Sequence, residues 1–299
     1  MPRVTRDDVS LAYEHERADG DAPIVVFLQG IGLGRWQWRW IREGLQGTEQ
    51  LSPDTRGTGR SDPGLAPLVP RLPTRLRRRL LTGRFAYDVG GLAADLEAVL
   101  EDAGVRRAHL VGLDLGGAVA QRYALEYTRA ASLTLIGTTH GGSDAVPMPD
   151  ETRDQLLARP GPTERETVRH RTRPLFTDAF SNRNPHLMDR LIEWRLERDP
   201  ADPSLEAQLG AFERFDVTER LSRLRVPSLV IHGAEDRVVP VANGRLLHEA
   251  LPDSQYFELE NGAHACVIEN AVRIAERLER FLGAVSEGES SVAVKPQHL

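Results

Sequence analysis

The apolar positions fall into short runs separated by longer amphipathic stretches. Residues 23–30, 107–112, 132–137 and 228–233 are apolar runs that end in glycine, which is typical of buried strands. Val9–Glu16 alternates apolar and polar residues and predicts an edge-type strand. Residues 49–62 predict a short strand that runs into a glycine-rich loop, and residues 255–260 predict a late strand.

Helical spacing of apolar residues occurs between these predicted strands. It predicts helices over residues 88–102, 116–127, 241–250 and about 266–282. Strands that alternate with helices predict an α/β fold in which a mostly parallel central sheet is flanked by helices.

Residues 139–222 interrupt this alternation. The segment is polar, has a helical pattern and lacks buried strand runs, so we expect a helical cap inserted into the core. The expected organisation is therefore a first core part over 1–138, a cap over 139–222, a second core part over 223–283 and a mobile tail over 284–299.

Composition and charge narrow the functional classes. The chain has 299 residues, enough for a sizeable core, and its net charge of −6 does not favour nucleic-acid binding. The single Cys266 excludes an intrachain disulfide. The start of the chain is polar and no window approaches ~18 apolar residues, so we expect a soluble cytoplasmic protein without membrane contact. The sequence does not decide between monomer and homodimer.

A proline-rich stretch at residues 64–84 carries six arginines, namely Arg71, Arg75, Arg77, Arg78, Arg79 and Arg84. It has two interpretations, a contact to an anionic ligand or membrane surface, and a solvated loop with a short helix whose leucines pack on the rim. We favour the solvated loop.

Four motifs carry the chemistry. They are "FLQGIGLGRWQW" from residue 27, "DTRGTGRSD" from residue 54, "VGLDLGGAVAQ" from residue 111, and the pair "VIHGAEDRVVP" and "ELENGAHACV" from residues 230 and 258. In this order, and over residues 8–283, the chain resembles an α/β-hydrolase with the Gly-x-Ser-x-Gly nucleophile elbow at 112–116. Asp114 stands where serine is usual.

The resemblance implies a catalytic set of Asp114, Asp236 and His264, in the family's order of nucleophile, acid and histidine. It also implies an oxyanion hole made by the backbone N–H groups of Leu115 and Ile31. The non-catalytic alternatives are a helix N-cap for each aspartate and an ordinary loop position for the histidine.

Three further residues are candidates for the pocket. Gln29 replaces the family's usual histidine beside the oxyanion loop, which we interpret as a change of loop support. Trp36 and Trp194 are candidate pocket residues, and Trp194 could donate its N–H to a leaving anion. For both tryptophans the alternative is simple packing.

An aspartate at the elbow suits displacement at a saturated carbon, because attack on an ester would give a mixed anhydride. Haloalkane dehalogenases and epoxide hydrolases of this fold work through such an alkyl ester. The sequence departs from both: Leu115 replaces the bulky aromatic residue that follows their aspartate, and no tyrosine lies between Tyr127 and Tyr256 to protonate an epoxide oxygen. The rest of the elbow resembles enol-lactonases and methyl esterases.

Three functions remain open at this point. The first is a hydrolase of a small or medium hydrophobic substrate, possibly through an alkyl ester on Asp114. The second is a lyase, cyclase or isomerase in which Asp114 and His264 exchange protons. The third is an inactive ligand-binding pseudohydrolase. None of the three calls for a metal or a cofactor.

Overall fold

The protein is described from a computed structural model that covers residues 1–18, 20, 22–83 and 87–293, with side chains up to residue 288. Arg84, the last arginine of the 64–84 stretch, lies outside the described residues.

One eight-stranded sheet forms the centre of the described chain. Its strands are β1 (Arg3–Arg6), β2 (Val9–Glu16), β3 (Ile24–Leu28), β4 (Glu49–Pro53), β5 (Ala108–Leu113), β6 (Ala130–Ile136), β7 (Ser228–Gly233) and β8 (Ser254–Leu259). Their order is β1-β2-β4-β3-β5-β6-β7-β8. The strands from β4 to β8 in this order pair in parallel, while β1 and β2 pair antiparallel. The mostly parallel sheet agrees with the sequence pattern.

The pattern does not reveal β1. Its four residues are polar or partly exposed and too few to show a period, and the strand forms because Arg3–Arg6 pairs with the first residues of β2. A strand of this kind depends on its neighbour more than on its own sequence.

Helices flank the sheet. Those outside the 139–222 segment are α1 (Arg39–Gly44), α2 (Thr74–Leu81), α3 (Val89–Asp102), α4 (Leu115–Glu126), α10 (Ala242–Ala250), α11 (Cys266–Glu269) and α12 (Ala271–Ala293). Asp88 caps α3 by accepting a hydrogen bond from the N–H of Gly91. The buried face of α3, which includes Leu92 and Leu96, matches the apolar period seen in the sequence.

Residues 139–222, all of which are described, contain five α-helices and no strand. The helices are α5 (Asp150–Leu157), α6 (Glu164–Thr172), α7 (Asp178–Arg183), α8 (Pro185–Arg198) and α9 (Asp202–Glu213). A single isolated bridge joins Gly141 to Asp216 near the two ends of the segment. The segment therefore leaves the sheet after β6 and returns before β7.

The C-terminal helix is longer than the sequence predicts. We expected it to end near Leu282 and a tail to begin at residue 284, but α12 continues to Ala293. The buried side chains of Leu278, Leu282 and Val285 continue the helical spacing past the expected end. Residues 294–299 lie outside the described part of the chain.

The arginine-rich stretch departs at one residue from the solvated loop and short helix that we favoured. It includes the short helix α2, but Arg77 is buried and forms a two-bond ion pair with Glu206 of α9, at 2.9 and 3.0 Å. Arg71, Arg75 and Arg79 are exposed. The spacing of the sequence could not separate the buried arginine from the exposed ones, because its partner is over a hundred residues away.

Candidate active site

Asp114 lies in a tight turn between β5 and α4. Its backbone has φ 53° and ψ −114°, a conformation that non-glycine residues rarely adopt. A Cβ on Gly112 would lie 2.3 Å from the backbone of Gly116, and a Cβ on Gly116 would lie 2.2 Å from the carbonyl oxygen of Leu28. Only glycine fits at these two positions, so Gly112 and Gly116 are required by the turn itself.

The side chain of Asp114 does not cap α4, although Asp114 occupies the N-cap position. It points instead at His264, whose Nε2 lies 3.6 Å from Asp114 Oδ2. His264 Nδ1 lies 2.9 Å from Oδ2 of Asp236. The three side chains are buried and form one chain of contacts, in the order that the motifs suggest.

Asp236 is fixed by the turn that follows β7. Its Oδ1 accepts hydrogen bonds from the N–H groups of Val238 and Val239, each at 2.8 Å. His232 Nε2 lies 3.5 Å from its Oδ2 and donates to the carbonyl of Val239 at 2.8 Å. Burial acts to raise the pKa of Asp236, but the charge of His264 and the bonds from His232 and His264 hold it well below its usual range. Asp236 is therefore an anion.

His264 is a cation in this arrangement. Burial lowers its pKa, but the charge of Asp236 and the contacts with both carboxylates outweigh burial and raise the pKa to about 10. With Asp114 and Asp236 ionised, His264 is held between two negative charges. A neutral histidine needs one of those charges to be removed.

The loop after β3, where the resemblance places one oxyanion donor, is already bonded to Asp114. The N–H of Ile31 donates to Asp114 Oδ2 at 3.1 Å, while Asp114 Oδ1 is buried without a hydrogen-bond partner among the described residues. Leu115 is the first residue of α4, so its N–H lies at the helix N-terminus, next to Asp114. The two carboxylate oxygens of Asp114 thus differ: one is held by the backbone and the other is not.

The side chain of Gln29 joins this loop to the end of β4 and to the loop that follows it. Its amide donates to the carbonyl of Pro53 at 2.6 Å, and its Oε1 accepts from the hydroxyl of Thr55 at 2.9 Å. Gln29 lines a separate apolar cavity behind the elbow, not the cavity that contains Asp114. A role of Gln29 in loop support stays a prediction.

A small cavity of about 30 Å³ adjoins Asp114 and His264. Most of its lining is apolar and belongs to the 139–222 segment: Met148, Leu156, Leu157, Leu175, Leu205 and Leu209. Ile31 and Val238 contribute from the core, and the two charged residues Arg171 and Arg195 complete the wall. The volume has room for roughly two water molecules.

Trp36 and Trp194 do not line this cavity. Both line an open groove of about 910 Å³ on another part of the surface, where Trp194 packs against Trp36 and Trp40 at ring-centroid distances of 6.1 and 5.9 Å. The indole N–H of Trp36 donates to Asp199 at 2.9 Å. The packing alternative describes both tryptophans.

Sequence analysis missed the two cavity arginines and His232. Arg171 and Arg195 lie in helices whose sequences contain many arginines, so nothing in the pattern distinguished them. His232 offered a weak signal, since it stands four residues before Asp236 at the end of an apolar strand.

The described residues contain neither a candidate metal site nor a helix that could cross a membrane. No group of three or more histidine, cysteine, aspartate or glutamate side chains is arranged to hold a metal ion. No helix in the described ranges is long and apolar enough to cross a membrane.

A mostly parallel sheet with a strained elbow and a buried Asp–His–Asp set defines an enzyme of the nucleophile-elbow class. A family profile described as the α/β-hydrolase fold matches residues 23–271, and the chain belongs to this family.

Two relatives extend over most of the chain. A protein of Azorhizobium caulinodans with the provisional name carbamate hydrolase RutD is 27% identical over 289 residues, which cover 96% of this chain and 100% of the relative. A protein of the same name from Escherichia coli O1:K1 is 30% identical over 255 residues, or 82% of this chain and 86% of the relative. With the fold, these relatives identify a hydrolase of the α/β-hydrolase superfamily.

Solved structures agree on the fold. The enol-lactonase of Burkholderia xenovorans LB400 superposes with a TM-score of 0.75 at 22% identity, covering 94% of this chain and 100% of that one. A hydrolase of Pseudomonas aeruginosa PA01 gives a TM-score of 0.77 at 24% identity, with 94% and 98% coverage. At these identities the likeness shows the fold alone.

Proposed function

We propose that the protein hydrolyses a small electrophile at a saturated carbon through an alkyl ester on Asp114. The reactive group of the substrate is a carbon–halogen bond or an epoxide. The observation that carries this proposal is the unequal state of the two Asp114 oxygens: Oδ2 is held by the Ile31 N–H, and the buried Oδ1 has no described partner.

The occupied oxyanion loop argues against attack on an acyl carbon. In a serine esterase the loop N–H receives the oxygen of the substrate carbonyl. Here the Ile31 N–H is already bonded to an aspartate oxygen, at 3.1 Å. A carbonyl substrate would have to displace that oxygen, whereas an alkyl electrophile leaves it in place.

The first step forms one bond and breaks one. Asp114 Oδ1 attacks the saturated carbon, a C–O bond forms, and the carbon–halogen or epoxide C–O bond breaks with its electron pair going to the leaving atom. Oδ2 becomes the carbonyl oxygen of the new ester and remains on the Ile31 N–H. The apolar lining of the cavity suits the uncharged part of such a substrate.

The second step uses water and His264. Once Asp114 is esterified, one of the two charges that raise the pKa of His264 is gone. His264 then gives its proton to the alkoxide oxygen of an opened epoxide or, with a departing halide, to solvent, and can act as a base. Water then attacks Cγ of Asp114, His264 Nε2 accepts its proton, and the oxyanion on Oδ2 is stabilised by the Ile31 N–H. Cleavage of the Cγ–Oδ1 bond releases an alkoxide, which takes the proton from His264 and leaves as the alcohol. The new carboxylic acid of Asp114 then gives its proton to His264, which restores the starting charges.

Residues 139–222 would act as the cap of this site. Six apolar residues of the cavity wall come from this segment, including Met148 and Leu157 of the region around α5. A cap of this kind excludes bulk water during the first step and restricts the substrate to a small size.

A second function is favoured by the charge state of His264. A histidine with a pKa of about 10 is a proton donor at neutral pH, and the adjacent Asp114 is a proton acceptor. The pair could exchange protons with a substrate without a covalent step, as in a lyase, cyclase or isomerase. The two functions differ in whether Asp114 is ever esterified.

The test is to trap the ester. His264→Gln removes the base of the second step but leaves the nucleophile, so 1-bromobutane or 1,2-epoxybutane should add one alkyl or hydroxyalkyl group per chain. Intact-mass spectrometry detects the group, and peptide mapping should place it on Asp114. The double variant Asp114→Asn/His264→Gln is the matched control and should remain unmodified.

Single turnover of the wild type in ¹⁸O-water adds an independent measure. Because water attacks Cγ, one ¹⁸O atom should appear in the Asp114 carboxylate rather than in the first product molecule. Absence of an adduct with every electrophile, together with esterase activity that appears only in Asp114→Ser, would reject the covalent step in favour of proton exchange or a pseudohydrolase.

A further inference from the structure

Two buried arginines form part of the wall of the active-site cavity. Arg171 belongs to α6 and Arg195 to α8, and their relative exposures are 8% and 9%. The rest of the wall near them is aliphatic. Burying a guanidinium beside a cavity costs free energy unless it has partners, so these two residues need an explanation.

Their hydrogen bonds are only partly used within the protein. Arg171 donates to Asp202 at 2.8 Å and to the carbonyls of Ala158 and Leu157. Arg195 donates to Asp199 at 2.6 Å, to the Thr172 hydroxyl at 3.0 Å and to the carbonyl of Gly32 at 3.4 Å.

A guanidinium has five N–H donors. For Arg171 and for Arg195, three of the five donate to the acceptors just named. Each arginine therefore keeps two N–H donors without an acceptor among these described contacts, and both side chains form part of the cavity wall.

Arg171 also belongs to a cluster with excess positive charge. The cluster contains four guanidinium groups and two carboxylates, joined by ion pairs of 2.6–3.9 Å: Arg77, Arg78, Arg159 and Arg171 with Asp202 and Glu206. Burial acts to raise the pKa of Asp202, but bonds from Arg159 and Arg171 lower it overall, so Asp202 is ionised. The cluster keeps a formal excess of two positive charges.

The arginine-rich stretch of the sequence supplies half of these cations. Arg77 and Arg78 of α2 both contact Glu206, and Arg78 also donates to the carbonyl of Leu157, a cavity residue. The stretch thus reaches the active site through α9 and the end of α5. Asp114 and His264, which form an ion pair at 3.6 Å, line the same cavity.

We propose that Arg171 and Arg195 bind an anionic group of the substrate, so that the substrate is a short electrophile carrying a carboxylate. The electrophilic part of this statement rests on the proposed function, and the anion site does not. Arginine binds a planar carboxylate through paired N–H donors, which an aliphatic wall cannot do. The cavity of about 30 Å³ is smaller than such a substrate, so its aliphatic wall must move aside on binding, and the chain between carboxylate and reactive carbon is limited to a few atoms.

Binding of an unreactive carboxylate tests the anion site without turnover. Butanoate is titrated into the wild type and followed by calorimetry, with 1-butanol as the neutral match. Butanoate should bind ~10-fold more tightly or better, and Arg171→Gln should remove most of that preference. Arg79→Gln, an exposed arginine of α2, is the control and should change nothing.

Replacing Arg195 alone would leave the Asp199 carboxylate buried without its ion pair and would destabilise the fold. Arg195 is therefore replaced together with Asp199. Arg195→Gln combined with Asp199→Asn removes both charges at once and should weaken butanoate binding. Asp202→Asn should have the opposite effect, because it raises the excess charge of the cluster around Arg171. Equal binding of butanoate and butanol in the folded wild type, or no change in all of these variants, would overturn the proposal.

Trapping on His264→Gln separates this inference from the proposed function. In that background Arg171→Gln should slow adduct formation with 2-bromobutanoate and leave the rate with 1-bromobutane unchanged, because only the first carries a carboxylate. Butanoate binding without any adduct would uphold the anion site and reject the covalent step. Adduct formation that Arg171→Gln leaves unchanged with both bromides, together with no preference for butanoate, would reject the anion site and uphold the covalent step.

Discussion

Asp236 and Asp114 together raise the pKa of His264, and Asp114→Asn tests the share that comes from Asp114. The variant keeps the size of the side chain and removes its negative charge. His264 Nε2 lies 3.6 Å from Asp114 Oδ2, with both groups buried. At an effective dielectric constant of about 20, two unit charges at this separation interact by ~5 kcal/mol, or a factor of about 10³ in the protonation equilibrium.

The expected result is a large fall in the pKa of His264. In the wild type that pKa is raised to about 10, so the side chain is a cation throughout the neutral range. In Asp114→Asn the midpoint should move towards neutral pH, with Asp236 still holding the ring in place through Nδ1. The variant imitates the esterified enzyme, because both lack the Asp114 charge.

Nuclear magnetic resonance of the histidine C2–H protons measures this midpoint, and the His264→Gln spectrum assigns the signal. Asp144→Asn, which removes an exposed carboxylate, serves as the control and should leave the midpoint unchanged. If the midpoint in Asp114→Asn moves by less than a factor of ten in proton concentration, direct charge coupling is wrong, and His264 cannot become a base in the way proposed.

Three further outcomes are expected. Asp236→Asn should slow ester hydrolysis by about 10³-fold or more in single-turnover assays, because His264 loses its orienting charge; an unchanged rate would remove Asp236 from the mechanism. The pKa of His264 is 6.5 when unfolded and about 10 when folded, so its stabilising effect is complete below pH 6.5 and lost as the pH rises towards 10. The difference in unfolding free energy between wild type and His264→Gln should therefore shrink over that range in urea titrations. Gln29→Ala should cost about 1–3 kcal/mol in unfolding free energy through two lost buried hydrogen bonds, and a smaller loss would contradict its supporting role.

The sequence was sufficient to predict seven of the eight strands and to identify the residues that meet at one edge of the sheet. Parallel strands place their carboxyl ends on one side, so residues that follow β5, β7 and β8 must come close together, as Asp114, Asp236 and His264 do. Motif order carries this information because each motif is tied to a strand end.

The wall of the cavity could not be predicted in the same way. Arg171 and Arg195 come from helices whose positions depend on long-range packing, and their patterns look like those of ordinary solvated helices. Their importance follows from ion pairs with Asp202 and Asp199, which only the folded chain reveals. The predicted end of α12 was wrong for a related reason. Val285 extends the buried face of the helix, and its burial is seen only in the folded chain.

The bond from the Ile31 N–H to Asp114 has a consequence for how this enzyme would respond to chemical probes. Fluorophosphonates and boronic acids label serine hydrolases because a hydroxyl attacks them and the vacant oxyanion donors hold the product. In the proposed mechanism the attacking atom is a carboxylate oxygen of Asp114, and the second carboxylate oxygen accepts the hydrogen bond from the Ile31 N–H, so neither requirement is met. Probes for serine hydrolases would therefore not label the protein, and an alkylating probe would be needed to detect it.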